Sequence, residues 1–146
     1  MPDRDSRSGQ MKGRLSRVPI STFRDGRGVL RVFEKGASLR FVPRRCYVLS
    51  DVPKGRTRGG HKVSCDLFLT ALTGACRVLF RRAGRETAVR LGRSRGVHVP
   101  RGTWICLDRF SPDAIVLVCA SRAYKDTRYS ERFDGTKTRA RRAAPR

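Results

Sequence analysis

Leu67-Phe68-Leu69-Thr70-Ala71-Leu72, Thr73-Gly74 and Ala75-Cys76-Arg77-Val78-Leu79-Phe80 set two short apolar runs on either side of a Thr-Gly turn. Each run has the length of a strand and neither carries a helical stripe, so the segment reads as strand, turn, strand. The pattern continues outward in both directions. Downstream, Ala83-Gly84 leads to Thr87–Leu91, then come Val97–Val99 and Thr103–Leu107, and Ser111-Pro112-Asp113 precedes Ala114–Ala120. Upstream lie Val29–Phe33, Leu39–Val42 and Cys46–Leu49, set off by Asp25-Gly26, Arg27-Gly28, Lys35-Gly36 and Pro53-Lys54-Gly55. About nine short strands at intervals of roughly 8–12 residues predict an all-β sandwich or barrel. No repeat of fixed period accompanies them.

The ends differ from this middle. Residues 1–18 are polar, basic and without periodicity, and read as a disordered basic arm. Residues 135–146 revert to a flexible basic tail. The 146 residues suit a single domain, expected over 19–134. No apolar run approaches the ~20 residues of a membrane span, and a signal-peptide core is absent from the N-terminal stretch. The expectation is a cytoplasmic protein with no membrane partner.

Charge is the loudest feature of the composition, with 34 Lys and Arg against 12 Asp and Glu and a net charge of +22. The arm contributes +3 and residues 125–146 contribute +5, leaving +14 on residues 19–124, so the folded part itself is basic. Arginine supplies 28 of the 34 positive charges, and its planar fork is the better partner for phosphate. Such a field favours anionic partners, nucleic acid among them, through the basic tails. Against a stacking platform for bases, Phe33, Phe41, Tyr47, Phe68, Phe80 and Trp104 all sit inside apolar runs, where core packing explains them.

Cys46, Cys65, Cys76, Cys106 and Cys119 are odd in number and form no C-x-x-C. That spacing suits neither a disulfide framework nor a zinc knuckle, and predicts small buried thiols in a reducing compartment. No cofactor is expected, and no metal, because small β-barrel metal sites gather two or three histidines with a carboxylate, whereas His61 has no histidine near it in sequence and only Asp66 close behind. G-x-S-x-G, Walker A and G-x-G-x-x-G are absent. His98 alternates with Val97 and Val99 and so points away from both. His61 closes Asp51-Val52-Pro53-Lys54-Gly55-Arg56-Thr57-Arg58-Gly59-Gly60-His61, read as a loop that sets a titratable base beside arginine and glycine.

Taken in chain order, several motifs resemble one family. They are Phe23-Arg24-Asp25-Gly26-Arg27-Gly28-Val29-Leu30, Arg44-Arg45-Cys46-Tyr47, Asp51-Val52-Pro53-Lys54-Gly55 with Arg58-Gly59-Gly60-His61, and Leu72-Thr73-Gly74-Ala75-Cys76-Arg77-Val78. Trp104, Phe110-Ser111-Pro112-Asp113-Ala114, Ala120-Ser121, Tyr124, Tyr129 and Phe133 complete the set. Over about residues 20–133 the chain is similar to the small cupin dTDP-sugar 3,4-ketoisomerases, which act on dTDP-4-keto-6-deoxyglucose. The resemblance implies a double-stranded β-helix (cupin, jelly roll), a homodimer, and a metal-independent isomerase of deoxysugar biosynthesis whose ligand is a dTDP-linked keto-sugar. A pyrophosphate on that ligand would account for the arginines.

The implied chemistry removes a proton α to a ketone, forms an enediolate and returns a proton one carbon away, which needs a base and donors to the oxyanion. By the resemblance His61 is the base, Arg58 an oxyanion or phosphate contact and Tyr47 a donor to a sugar oxygen. Arg27, Arg45 and Trp104 fall to substrate binding. Ion pairing is the competing role for each arginine, and core packing for Tyr47 and Trp104. The chain departs from the family at one motif. Where the family has His-Ala-His it has a single histidine followed by Lys62-Val63, with the segment to Gly74 one residue short, so that His61 aligns with either family histidine. Asp66 or Leu67 stands nearest the family's glutamine, and Ile105 follows Trp104. The other readings are a non-catalytic sugar-nucleotide-binding cupin and a basic nucleic-acid-binding β-barrel.

Overall fold

A computed structural model of the protein describes residues 15–130. Its strands are β1 (Ser16–Pro19), β2 (Ser21–Asp25), β3 (Gly28–Val32), β4 (Glu34–Lys35), β5 (Ser38–Leu39), β6 (Arg45–Leu49) and β7 (Arg58–Val63). They continue with β8 (Leu67–Thr73), β9 (Cys76–Arg82), β10 (Arg85–Leu91), β11 (Arg95–Val99), β12 (Thr103–Asp108), β13 (Ile115–Ala120) and β14 (Tyr129–Ser130), with a 3-10 turn at Tyr124–Asp126. Two five-stranded sheets carry the fold, in the orders β1-β11-β8-β13-β6 and β10-β9-β12-β7-β14. The eight strands from β6 to β13 divide between them as β6, β8, β11, β13 and β7, β9, β10, β12, all paired antiparallel. That interleaving is a jelly roll, the double-stranded β-helix expected above.

Alternation along the strands builds the core. Cys76, Val78 and Phe80 of β9, Ile105 and Leu107 of β12, and Val116, Val118 and Ala120 of β13 share one buried cluster between the sheets. The strand β8 is buried on both faces, which explains its unbroken apolar run. Leu67, Leu69 and Ala71 enter the main cluster, while Phe68, fully buried, faces the other way into a second cluster with Ile20, Leu39 and Cys119. Phe33 and Phe41 pack on that cluster from the chain that crosses the outer face. Burying a side chain such as Phe68 is worth roughly 3 kcal/mol. A Cβ at Gly96 would run into its ring, so Gly96 is where the strand β11 makes room for it.

The structure redraws several elements. Ser16, Arg17 and Val18, read as part of the arm, lie in β1 and pair with β11, a ladder too short and too polar to show as a strand in sequence. Residues 1–14 of the arm, residues 131–134 of the expected domain and the tail 135–146 lie outside the described residues. Of Leu39–Val42 only Leu39 is in a strand, and Phe41 packs on the second cluster instead. The hairpin of β2 and β3 stands apart from both sheets, with Phe23 paired to Leu30 and both more than 60% exposed (63% and 61%). Among the described residues no helix is long and apolar enough to cross a membrane.

Candidate active site

His61 lies on β7, not in a loop, and the reason is a bulge. Opposite β12, Arg58 pairs with Leu107, Gly59 with Cys106, His61 with Ile105 and Val63 with Thr103, with the register slipping between Ile105 and Cys106. Gly60 is the extra residue. Leu107, Ile105 and Thr103 all face inward, so Arg58, His61 and Val63 face inward with them. Without the bulge, residues three apart on a strand would face opposite ways. Gly59 and Gly60 both sit at φ +84°, and a Cβ on Gly59 would stand 2.9 Å from the Ile105 carbonyl oxygen. Arg-Gly-Gly-His looks like a turn in sequence because glycine serves turns and bulges alike.

Across the open side of the sandwich, the edge strand β6 alternates Arg45, Tyr47 and Leu49 inward with Cys46 and Val48 outward. Arg45 gathers the aromatic groups. Its guanidinium stands 5.2 Å from the Tyr47 ring and 5.5 Å from the Tyr124 ring, and its Nη2 donates to Tyr129 Oη at 2.8 Å. The Tyr129 ring meets His61 edge-on at 4.8 Å. Tyr129 thus ties the arginine of one sheet to the histidine of the other.

Burial pushes the Tyr47 hydroxyl up to about 12, helped by Tyr129 and opposed by the charges of Arg45 and Arg58. It remains a proton donor at any physiological pH. The influence of Arg58 on Tyr47 also puts both within one electrostatic neighbourhood. Burial likewise raises Tyr129, against its hydrogen bond from Arg45. Arg45 Nε and Tyr124 Oη are buried and have no hydrogen-bond partner among the described residues. Two such donors cost about 1–3 kcal/mol each unless a ligand oxygen accepts from them.

Four of the six residues singled out in sequence therefore converge: His61, Arg58, Tyr47 and Arg45. Trp104 does not join them. It lies on the outer face of β12, in a cross-strand row of Glu86, Arg81, Trp104 and Lys62, with the Arg81 guanidinium 4.4 Å from its ring. Arg27 sits at the tip of the hairpin, where it pairs with Asp25 at 2.6 Å. Asp66 stands directly before β8, and its carboxylate accepts from the Arg101 backbone N–H at 2.8 Å. Ile105, the neighbour of Trp104, is buried opposite His61.

Tyr124 and Tyr129 were quoted in the sequence only as parts of a pattern. Tyr129 lies 84 residues from Arg45, and nothing local in sequence joins them. Among the described residues no group of three His, Cys, Asp or Glu is placed to hold a metal ion. A cleft of about 920 Å³ opens beside the Tyr124 turn, lined by Arg44, Arg122, Lys125 and Arg128 against the single carboxylate of Asp126. His61, Tyr47 and Arg58 do not line it.

Comparison with known proteins agrees with this architecture. The chain is 29% identical over 115 residues to a TDP-4-oxo-6-deoxy-alpha-D-glucose-3,4-oxoisomerase of Aneurinibacillus thermoaerophilus, covering 77% of this chain and 83% of that one. It superposes on WlaRA, a TDP-fucose-3,4-ketoisomerase from Campylobacter jejuni, with a TM-score of 0.75 at 22% identity, over 81% of this chain and 89% of the other. QdtA, a sugar 3,4-ketoisomerase from Thermoanaerobacterium thermosaccharolyticum solved in complex with TDP, gives a TM-score of 0.73 at 25% identity, over 82% and 89%. The family model described as FdtA: WxcM-like, C-terminal matches residues 12–138, nearly the whole chain, and the chain belongs to that family.

Proposed function

We propose that the protein is a sugar-nucleotide 3,4-ketoisomerase of deoxysugar biosynthesis, moving the keto group of a dTDP-4-keto-6-deoxyhexose through an enediolate. One observation carries the reading: a bulge turns Arg58 and His61 to the same inner face, where Tyr47 and Arg45 meet them from the opposite sheet. In this scheme His61 takes the proton from C3 and a proton returns to C4, so that O4 becomes a hydroxyl and O3 a carbonyl. An imidazole is the side chain suited to move a proton both ways near neutral pH. Tyr47, held protonated, and Arg58 donate to the oxygen on which charge develops. Arg45 Nε and Tyr124 Oη are donors ready for ligand oxygens, and the cationic cleft beside them suits the pyrophosphate.

The same reading makes the enzyme a cytoplasmic homodimer. The hairpin of β2 and β3 supports it, standing outside both sheets with exposed Phe23, Val29 and Leu30 that a second copy would cover. Arg27 would then reach a ligand only across that contact. A second reading rests on position 63. Val63 shares the inner face with His61, so if His61 is the first of the His-x-His pair, a core side chain stands where the second would be. A binding protein without turnover would look the same there.

The deciding experiment follows dTDP-4-keto-6-deoxyglucose by NMR with the purified protein and with His61→Asn. Conversion by the wild type and none by the variant supports the isomerase and its base. Conversion by both removes His61 from its role. No conversion, with dTDP still bound, gives the non-catalytic cupin. Binding only to long polyanions, steeply lost with salt, gives the nucleic-acid reading.

A further inference from the structure

Cys46 and Cys119 are 73 residues apart and stand directly opposite one another on the antiparallel strands β6 and β13. Directly opposed residues of such a pair have Cα atoms about 4.5–5.5 Å apart, inside the span a disulfide bridges. The two thiols already touch, Cys46 Sγ donating to Cys119 Sγ at 3.4 Å. Both project from the outer face of their sheet. Cys46 is exposed and Cys119 is buried, packed in the second cluster beside Phe68. The other three cysteines offer nothing comparable: Cys65 and Cys76 are buried, and Cys106 lies on the other sheet.

We propose that Cys46 and Cys119 form a reversible redox site that closes into a cross-strand disulfide when the protein meets a small disulfide oxidant of the glutathione type. The steps balance as two exchanges. The Cys46 thiolate attacks one sulfur of the oxidant, breaking its S–S bond, forming a mixed disulfide and releasing one small thiolate. The Cys119 thiolate then attacks the Cys46 sulfur and expels the second small thiol. The protein loses two protons and two electrons, and the oxidant leaves as two thiols.

Accessibility divides the labour between the two. Exposed Cys46 is the point of entry, and on reduction its sulfur is the one an external thiol can reach. Burial pushes the Cys119 thiol up to about 12, with the charge of Cys46 adding to the rise. The part due to Cys46 disappears once Cys46 is capped as the neutral mixed disulfide, so capping promotes the second step. Cys46 lies between Arg45 and Tyr47 on an edge strand, so the bond would pin to β13 the very strand that presents those two side chains inward.

The test uses the full chain, reduced, freed of reductant and incubated with oxidised glutathione at pH 8. The expected product is lighter by about 2 Da, gives one cross-linked peptide pair containing Cys46 and Cys119, and reverts with dithiothreitol. Its thermal midpoint should rise by about 10 °C, since the closed loop is long. Cys46→Ser should show neither change, and being exposed it should fold normally. Cys119→Ala should stop at a glutathione adduct on Cys46. A wild-type adduct that never resolves, a bond between two chains, a link to Cys65, Cys76 or Cys106, or no reaction at all would each overturn the proposal.

Discussion

Tyr47 is half core and half chemistry. Its ring packs against the buried cluster, as an aromatic within an apolar run should, yet the Arg45 guanidinium stands 5.2 Å from that ring and the charges of Arg45 and Arg58 act on its hydroxyl. Tyr47→Phe keeps the packing and removes only the donor. The expected result is a fall of about 100-fold in kcat, the usual cost of one oxyanion donor, with dTDP affinity unchanged by titration calorimetry. His98 makes a separate prediction. Its alternation with Val97 and Val99 was legible, and it indeed faces away from the main core, against the Phe41 ring at 6.0 Å. Burial lowers its pKa from 6.5, with Arg40 assisting and Asp66 opposing. A base depressed in the folded state takes up protons more readily when unfolded, so stability holds above about pH 6.5 and declines as pH falls below it. Urea unfolding at a series of pH values should show that slope, and His98→Gln should flatten it.

At the scale of elements, the strands announced by apolar runs were legible, β6 of the site among them, and β7, which carries the rest of the site, was not. The strands β8, β9 and β13 fill the core and bear its periodicity, whereas β7 holds arginine, two glycines, histidine and lysine, and its burial comes from its partners. Its Gly59 is required twice over, by φ +84° and by the Ile105 carbonyl oxygen. Gly59→Ala should lower unfolding free energy by roughly 2–3 kcal/mol in denaturant titration. Gly84→Ala isolates the backbone share, because Gly84 has φ +74° in open space and should lose only about 1 kcal/mol. Equal losses at the two sites would mean that the close approach to Ile105 costs nothing.

For the whole molecule, the jelly roll was reached through the order of motifs along the chain, since composition and spacing led only as far as sandwich or barrel. Charge pointed to anions without saying which. Among the described residues Arg44, Arg122, Lys125 and Arg128 meet at one cleft, while Arg77 is paired with Asp108 and Arg27 with Asp25. The free-standing hairpin was illegible, because nothing in the sequence sets Phe23 and Leu30 apart from residues bound for the core. Replacing both Phe23 and Leu30 by Ser should shift sedimentation from dimer to monomer and leave the far-ultraviolet circular dichroism unchanged. A wild type that already sediments as a monomer would sink the proposed dimer.

The glycine pair in β7 makes the geometry of the site a matter of parity. Every residue before the bulge is oriented by a count that includes Gly60, and every residue after it by a count that does not. Flattening the bulge with both glycines kept would leave His61 and Val63 where they are and rotate Arg58 out to solvent, whereas deleting Gly60 would set Arg58 two residues from His61 on a regular ladder and keep both inward. A glycine substitution that flattens this bulge, ordinarily a matter of stability alone, would behave here as a change of chemistry.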